Sequence, residues 1–259
     1  MAVSDEYQKI YFDEIISKSK GIILKYSPVS NRHEFCPFSH AIGKNSVEDL
    51  GKIMRQNLLF YCYGEDEIVK FYKRGNFKDL ETAAQYAYKM RLPTRPLQSD
   101  GLPSEVLLDL LIQIYIPDSY KLAVRPLLRQ QDNNEIKGYD LTYFSLNHQG
   151  IGLWLGQAKL GEKNYCKNGI HKDLLTKFKC DYLCKQMFFV CDKSMGTSET
   201  VETLINVVND VNRATIDARD TARQKSLLAC FKANNISIYI PCLMAYGSTA
   251  VYQSAREIY

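Results

Sequence analysis

Two apolar runs separated by a short turn constrain this chain more than any other feature: Gly138 to Leu146, and Ile151 to Lys159. The connection Asn147 to Gly150 is too short for a crossover, so the two runs must pair as antiparallel strands. Residues i and i+2 of a strand share a face. Gln157 and Lys159, at the end of the second run, therefore point the same way, and Ala158 points the other. Asp140 closes the stretch Gly138-Tyr139-Asp140 on the neighbouring strand and is placed to approach Gln157.

The flanking pattern extends this pair. Tyr120 to Leu128 predicts a preceding strand, joined through the turn residues Asp132-Asn133-Asn134, so that three strands form an antiparallel meander. Ser104 to Tyr115 predicts a helix before them, closed by Pro117 and apolar except for Glu105, Asp109 and Gln113. Those three recur at i, i+4 and i+8, a polar stripe that must meet water, a cation or a site, because a buried unpaired carboxylate is too costly. After the meander come helical sequence around His171 to Lys185, a strand over Gln186 to Cys191, a long helical region from Ser198 to Ala233, and a last strand over Ile236 to Leu243. The run Met187-Phe188-Phe189-Val190 is apolar on both faces and predicts a central strand. The order helix, three strands, helix, strand is the αβββαβ core of restriction-type nucleases. It predicts an α/β (α+β) fold with a mixed sheet, carrying an N-terminal lobe.

That lobe reads as residues 1–98, with the core over 99–259, because Pro93, Pro96, Gly101 and Pro103 break the chain between them. Within it, Gly21 to Tyr26 predicts a strand. Ser46-x-x-Asp49 reads as a capping box before Val47, Leu50, Met54 and Leu58, and Phe77 to Tyr88 predicts a second helix.

Composition excludes several classes. At 259 residues and 46% hydrophobic, the chain has material for a sizeable core and argues against long disorder. No 18-residue apolar run exists, so no membrane span is expected, and the charged N-terminus is wrong for a signal peptide. A cytoplasmic protein is expected. The eight cysteines lack two facing CxxC pairs, which favours free buried thiols over zinc, although His33 and His40 flank Cys36. Net charge is only +4, yet the window Lys159 to Lys185 holds seven Lys against Glu162, Asp173 and Asp181, equal to the excess of the whole chain. Basic residues beside a phosphate-cutting site would neutralise a nucleic-acid backbone. Lys163, Lys167, His171, Lys172 and Lys177 are the candidate DNA contacts, against the plainer reading of a solvated helix face.

An acid on one strand and acid-x-Lys on the next is the constellation of PD-(D/E)xK nucleases. Carboxylates hold Mg²⁺ (or Mn²⁺), which polarises the phosphoryl group and acidifies a bound water, and the lysine orients that water or steadies charge on phosphate. Asp140, Gln157, Lys159 and Glu105 are the candidate catalytic residues, with Asp140, Gln157 and Glu105 as metal ligands. The competing reading is a strand-end ion pair on a surface.

Glu105 on its helix, Gly138-Tyr139-Asp140, Leu153-Trp154-Leu155-Gly156-Gln157-Ala158-Lys159 and Ile238-Tyr239-Ile240-Pro241 together resemble HamA, the nuclease subunit of Hachiman anti-phage defence, over about residues 100–245 and loosely into the N-terminal lobe. The resemblance implies a PD-(D/E)xK-like fold, DNA as substrate and a hetero-complex with a HamB-type helicase. It also implies Asp140 as metal-binding acid, position 157 as second acid and Lys159 as catalytic lysine. Gln157 departs from that pattern. Gln keeps the shape and a carbonyl oxygen but removes a charge and adds an NH₂ donor. Three origins stay open: a substitution made to trap an uncut complex; a natural variant with Glu105 or Asp109 supplying the charge; or a pseudo-nuclease that only binds. The rival to an active enzyme is a non-catalytic DNA-binding or adaptor subunit.

Overall fold

The computed structural model describes residues 3–25, 38–40, 45–92, 101–116, 119–123, 138–147, 150–179, 182–187, 199–214 and 219–246. The N-terminal part holds α1 (Val3–Tyr11), which runs through a π turn (Phe12–Ile16) into α2 (Ser17–Ser19). A small antiparallel ribbon follows, β1 (Ile23–Lys25) with β2 (Phe38–His40). Three helices complete it: α3 (Ser46–Cys62), α4 (Glu65–Arg74) and α5 (Leu80–Arg91). Ser46 is the first residue of α3 rather than its cap; Asn45 holds the cap position without a side-chain bond. Asp79 caps α5 by accepting from the Thr82 N–H at 2.8 Å.

The remainder is built on a mixed five-stranded sheet. After α6 (Leu102–Tyr115) come β3 (Ser119–Lys121), β4 (Leu141–Asn147) and β5 (Gly150–Leu160), paired as an antiparallel meander; of the expected strand Tyr120 to Leu128 and its turn, 124–137 lie outside the described residues. Then follow α7 (Lys163–Lys177), α8 (182–187), α9 (Glu199–Ala214), α10 (Asp220–Ala233), β6 (Ile236–Tyr239) and β7 (Cys242–Ala245). Both β6 and β7 pair parallel to β5. The last strand is thus split. Ile151 faces Ile236 and Gln157 faces Cys242 with the same sequence offset, so the chain keeps one register along the whole of β5. Pro241 has no N–H to donate and interrupts the ladder between the two halves, while its carbonyl still accepts the Gln157 N–H at 2.9 Å.

The central strand is β5, with β4 on one side and β6 and β7 on the other. The expected strand at Gln186 to Cys191 differs. Gln186 and Met187 lie in α8, whose Leu183, Cys184 and Met187 bury a helical stripe, and 188–191 lie outside the described residues. Helix α7 begins at Lys163, earlier than the expected start near His171.

Each face of β5 is covered. Leu153 and Leu155 pack with Phe144, α8, α9 and α10; on the other face Leu141, Tyr143 and Ala158 pack with Leu108 and Ile112 of α6. A Cβ on Gly156 would come within 2.7 Å of Leu108 and 2.8 Å of Leu141, so glycine lets α6 lie close to the sheet. The opposite side of α6 (Val106, Leu110, Leu111) joins the core of α1, α3, α4 and α5, so one helix serves both hydrophobic clusters.

The polar stripe of α6 is buried and held by hydrogen bonds. Asp109 accepts from Tyr143 Oη at 2.5 Å, Gln113 Nε2 at 2.8 Å and Asn57 Nδ2 at 2.9 Å, and the buried Lys121 ammonium stands 3.8 Å away. Tyr7 donates to Gln113 Oε1, Tyr11 to Asn57 Oδ1 and Tyr61 to Glu105 Oε2. Lys121 also donates to the Phe60 carbonyl. Burial, reinforced by Asp109, holds the Tyr7, Tyr11 and Tyr143 phenols well above their usual range, so they remain neutral donors. The network joins α1, α3, α6, β3 and β4.

At its edge Glu65 accepts the Lys121 backbone N–H at 3.2 Å, and burial pushes its carboxyl up from 4.5 to about 7 despite that bond. A raised folded-state pKa contributes stability that is complete below the ordinary pKa and is lost as pH rises through the folded value. Stability is therefore expected to fall between about pH 4.5 and 7. Because Glu65 keeps partial solvent access, the loss should be on the order of 1–2 kcal/mol. Glu65→Gln should flatten that slope in thermal melts at pH 5 and pH 8; a slope unchanged by the substitution would assign it to another group.

Candidate active site

The pairing of β4 with β5 sets Leu141 against Gly156, which places Asp140 directly across from Gln157. Asp140 N–H donates to the Gly156 carbonyl at 2.9 Å, and its Oδ2 accepts the Ala158 N–H at 2.8 Å. The carboxylate thus takes the role of a strand carbonyl where β4 begins, which anchors it beside position 157. Gln157 is wholly buried, and its Nε2 donates to its neighbour's Gly156 carbonyl at 2.6 Å.

Helix α7 covers this end of β5. Its inward stripe is Cys166, Ile170, Asp173 and Lys177, at helical spacing. Lys177 Nζ donates to Gln157 Oε1 at 2.5 Å and lies 3.4 Å from Asp173. Asp173 also pairs with Lys159 Nζ at 2.6 Å, while Lys159 donates to its neighbour's Ala158 carbonyl at 3.2 Å. The stem of Lys159 lies across Gly169, where a Cβ would be 3.1 Å from Lys159 Cδ. Tyr139, next to Asp140, fixes the end of α7 by donating to the Lys177 carbonyl at 2.9 Å. The side chains brought together at this end of β5 are Asp140, Gln157, Lys159, Asp173 and Lys177.

Asp173 and Lys177 were legible only in part. Lys177 stood among the basic residues of the window, and Asp173 only as one of its acids. The signal was their i, i+4 spacing in line with Cys166 and Ile170. Of the candidate DNA contacts, Lys163, Lys167, His171 and Lys172 are exposed on α7, whereas Lys177 turns inward to Gln157. Glu105 sits on α6, whose packing is against the opposite face of β5, and it accepts from Tyr61. Asp109 cannot supply the charge missing at position 157, because its carboxylate is committed to Tyr143, Gln113, Asn57 and Lys121. The acid brought to this end of β5 by a neighbouring helix is Asp173.

With Gln157 in place these residues do not fit a divalent ion. Mg²⁺ needs several oxygen ligands with negative charge among them. One oxygen of Asp140 is bound to Ala158, Gln157 Oε1 is bound to an ammonium, and Asp173 is flanked by two ammoniums. Two carboxylates and two lysines leave the cluster without net charge. Among the described residues no three His, Cys, Asp or Glu side chains converge as a metal site. The Cys242 thiol lies across from Gln157 on β7. Desolvation pushes it up to about 11, Asp173 and Asp140 add to the rise, and Lys159 opposes it. Cys62, Cys166, Cys184, Cys230 and Cys242 are free thiols; Cys36, Cys180 and Cys191 lie outside the described residues.

The HamA family model matches residues 9–259, the N-terminal helices as well as the sheet. The chain belongs to the HamA family. It is thus a protein associated with Hachiman anti-phage defence. The HamA match reaches beyond the stretch 100–245 over which the motifs alone carried the resemblance. No curated protein and no solved structure matches the chain. No helix among the described residues is long and apolar enough to cross a membrane.

Proposed function

We propose that this HamA-family chain is the DNA-engaging effector subunit of a defence complex, built on a PD-(D/E)xK-like nuclease core and controlled by a HamB-type helicase. One observation carries the reading: Asp140 stands across from position 157, with Lys159 two residues further on the same strand. In that core, water attacks a backbone phosphorus, the P–O bond to the leaving sugar breaks, and Lys159 neutralises charge growing on the phosphate. The exposed Lys163, Lys167, His171 and Lys172 of α7 lead the DNA backbone toward this point. Gln157 withholds the second acid, so the chain as it stands binds DNA and cuts it weakly or not at all. No divalent-ion step is assigned to it. An active family site would hold Mg²⁺ or Mn²⁺ with an acid at position 157.

The neutral, self-paired cluster favours a second reading, a DNA-binding adaptor with no cleavage role. Supercoiled plasmid, Mg²⁺ or Mn²⁺ and the helicase partner separate the two. The native chain should stay near background, and Gln157→Glu should nick or degrade the plasmid at least about tenfold faster, the scale of restoring one electrostatic group. A Gln157→Glu protein that binds DNA but stays inert in both metals leaves the adaptor reading. DNA binding that does not weaken with added salt would count against the basic face of α7.

A further inference from the structure

We propose that Lys177 is the resident cation of this site: its ammonium occupies the position at residue 157 that a divalent ion would need, and keeps metal out. The inference rests on the nuclease-core reading of Asp140, Gln157 and Lys159 and adds a residue from α7 to it.

Three observations carry it. Lys177 Nζ bonds Gln157 Oε1 at 2.5 Å, and that oxygen is the one group at position 157 able to ligate a hard cation. The same ammonium is 3.4 Å from Asp173, so it bridges an amide oxygen and a carboxylate as a metal would. It is also built in. Its side chain is only 20% exposed and Asp173 only 15%, and Tyr139 ties the end of α7 down through the Lys177 carbonyl. A metal entering here would meet two lysine ammoniums within one carboxylate's reach, Lys159 at 2.6 Å and Lys177 at 3.4 Å. Like charges gathered on one carboxylate repel, more strongly at a partly buried position than in open water. The neutral Gln157 and the inward lysine then match each other. With a neutral residue at 157 the lysine balances the cluster, and with an acid there it forms an ion pair that a metal must displace.

The test is Mn²⁺ titration of the full chain, followed by the loss of the free-ion electron paramagnetic resonance signal, a readout independent of cutting. The native chain should show no site tighter than millimolar. Lys177→Met adds no ligand, yet it should tighten Mn²⁺ binding at least about tenfold, and Asp140→Asn in that background should remove the gain. Lys177→Gln, which keeps a donor for Gln157, is the second variant should Lys177→Met fold poorly, and it should show the same gain. Gln157→Glu with Lys177→Met should bind more tightly than either single change. The proposal is overturned if neither Lys177 variant gains affinity while Gln157→Glu alone reaches the affinity of the double variant. It is equally overturned if the native chain already binds Mn²⁺ tightly through Asp140. A Gln157→Glu protein that binds neither DNA nor its helicase would defeat the functional reading without touching these metal titrations.

Discussion

Asp109→Ala should lower unfolding free energy by about 3–5 kcal/mol, the cost of leaving a buried charge without its partner. The substitution deletes the acceptor shared by Tyr143, Gln113 and Asn57 and the carboxylate 3.8 Å from Lys121. Lys121 is held below its ordinary range by burial first, with Asp109 and Glu65 opposing that shift. Without Asp109 its proton becomes harder to keep, and its bond to the Phe60 carbonyl is the main remaining anchor. Urea denaturation measures the effect. Pairing Asp109→Leu with Lys121→Met should recover most of the loss, since an apolar pair can replace a buried ion pair at little cost. Failure of the pair to recover would mean that the hydrogen bonds to Tyr143, Asn57 and Gln113, rather than charge compensation, hold the two layers together.

In a Gln157→Glu background, Lys159→Ala should lower plasmid cutting by about 10²–10³, the usual scale for removing one charged group aimed at a reacting phosphate. Stability should change by less than about 1 kcal/mol, because the Lys159 ammonium pairs with Asp173 at a partly solvated position, 21% and 15% exposed. DNA binding should persist through Lys163, Lys167, His171 and Lys172 on the outer face of α7. A large drop in cutting with unchanged melting separates a catalytic lysine from a structural one. Cutting that survives Lys159→Ala would place the chemistry elsewhere on the chain.

The meander and the opposition of Asp140 to Gln157 were legible in the sequence because both follow from local rules. A short turn forces antiparallel pairing, and the two-residue period of a strand sets the face. Helix α6 was legible for the same reason, through its apolar run with polar positions at i, i+4 and i+8 and the Pro117 that closes it. Errors came where one signal had two readings. The apolar run at Met187 suits a buried strand or a buried helix, and only the packing of Leu183, Cys184 and Met187 on the core of α9 and α10 assigns its beginning to a helix. The last strand was read as continuous because Pro241 does not change its direction or register, only its ladder.

Sequence alone determined the constellation: an acid and a Gln-x-Lys on adjacent strands, a helix with three polar positions before them, and a basic helix after. Those are relations between neighbours in the chain, carried by periodicity and turn chemistry. Tertiary structure decided which groups answer which. It gave Asp109 to Tyr143, Asn57, Gln113 and Lys121 on one face of the sheet, and it gave Gln157 to Lys177 and Lys159 to Asp173 on the other. A charge has no preferred partner along the sequence. Its energy depends on distance and on how much water is left around it, and both are set only when α6 and α7 close over opposite faces of β5.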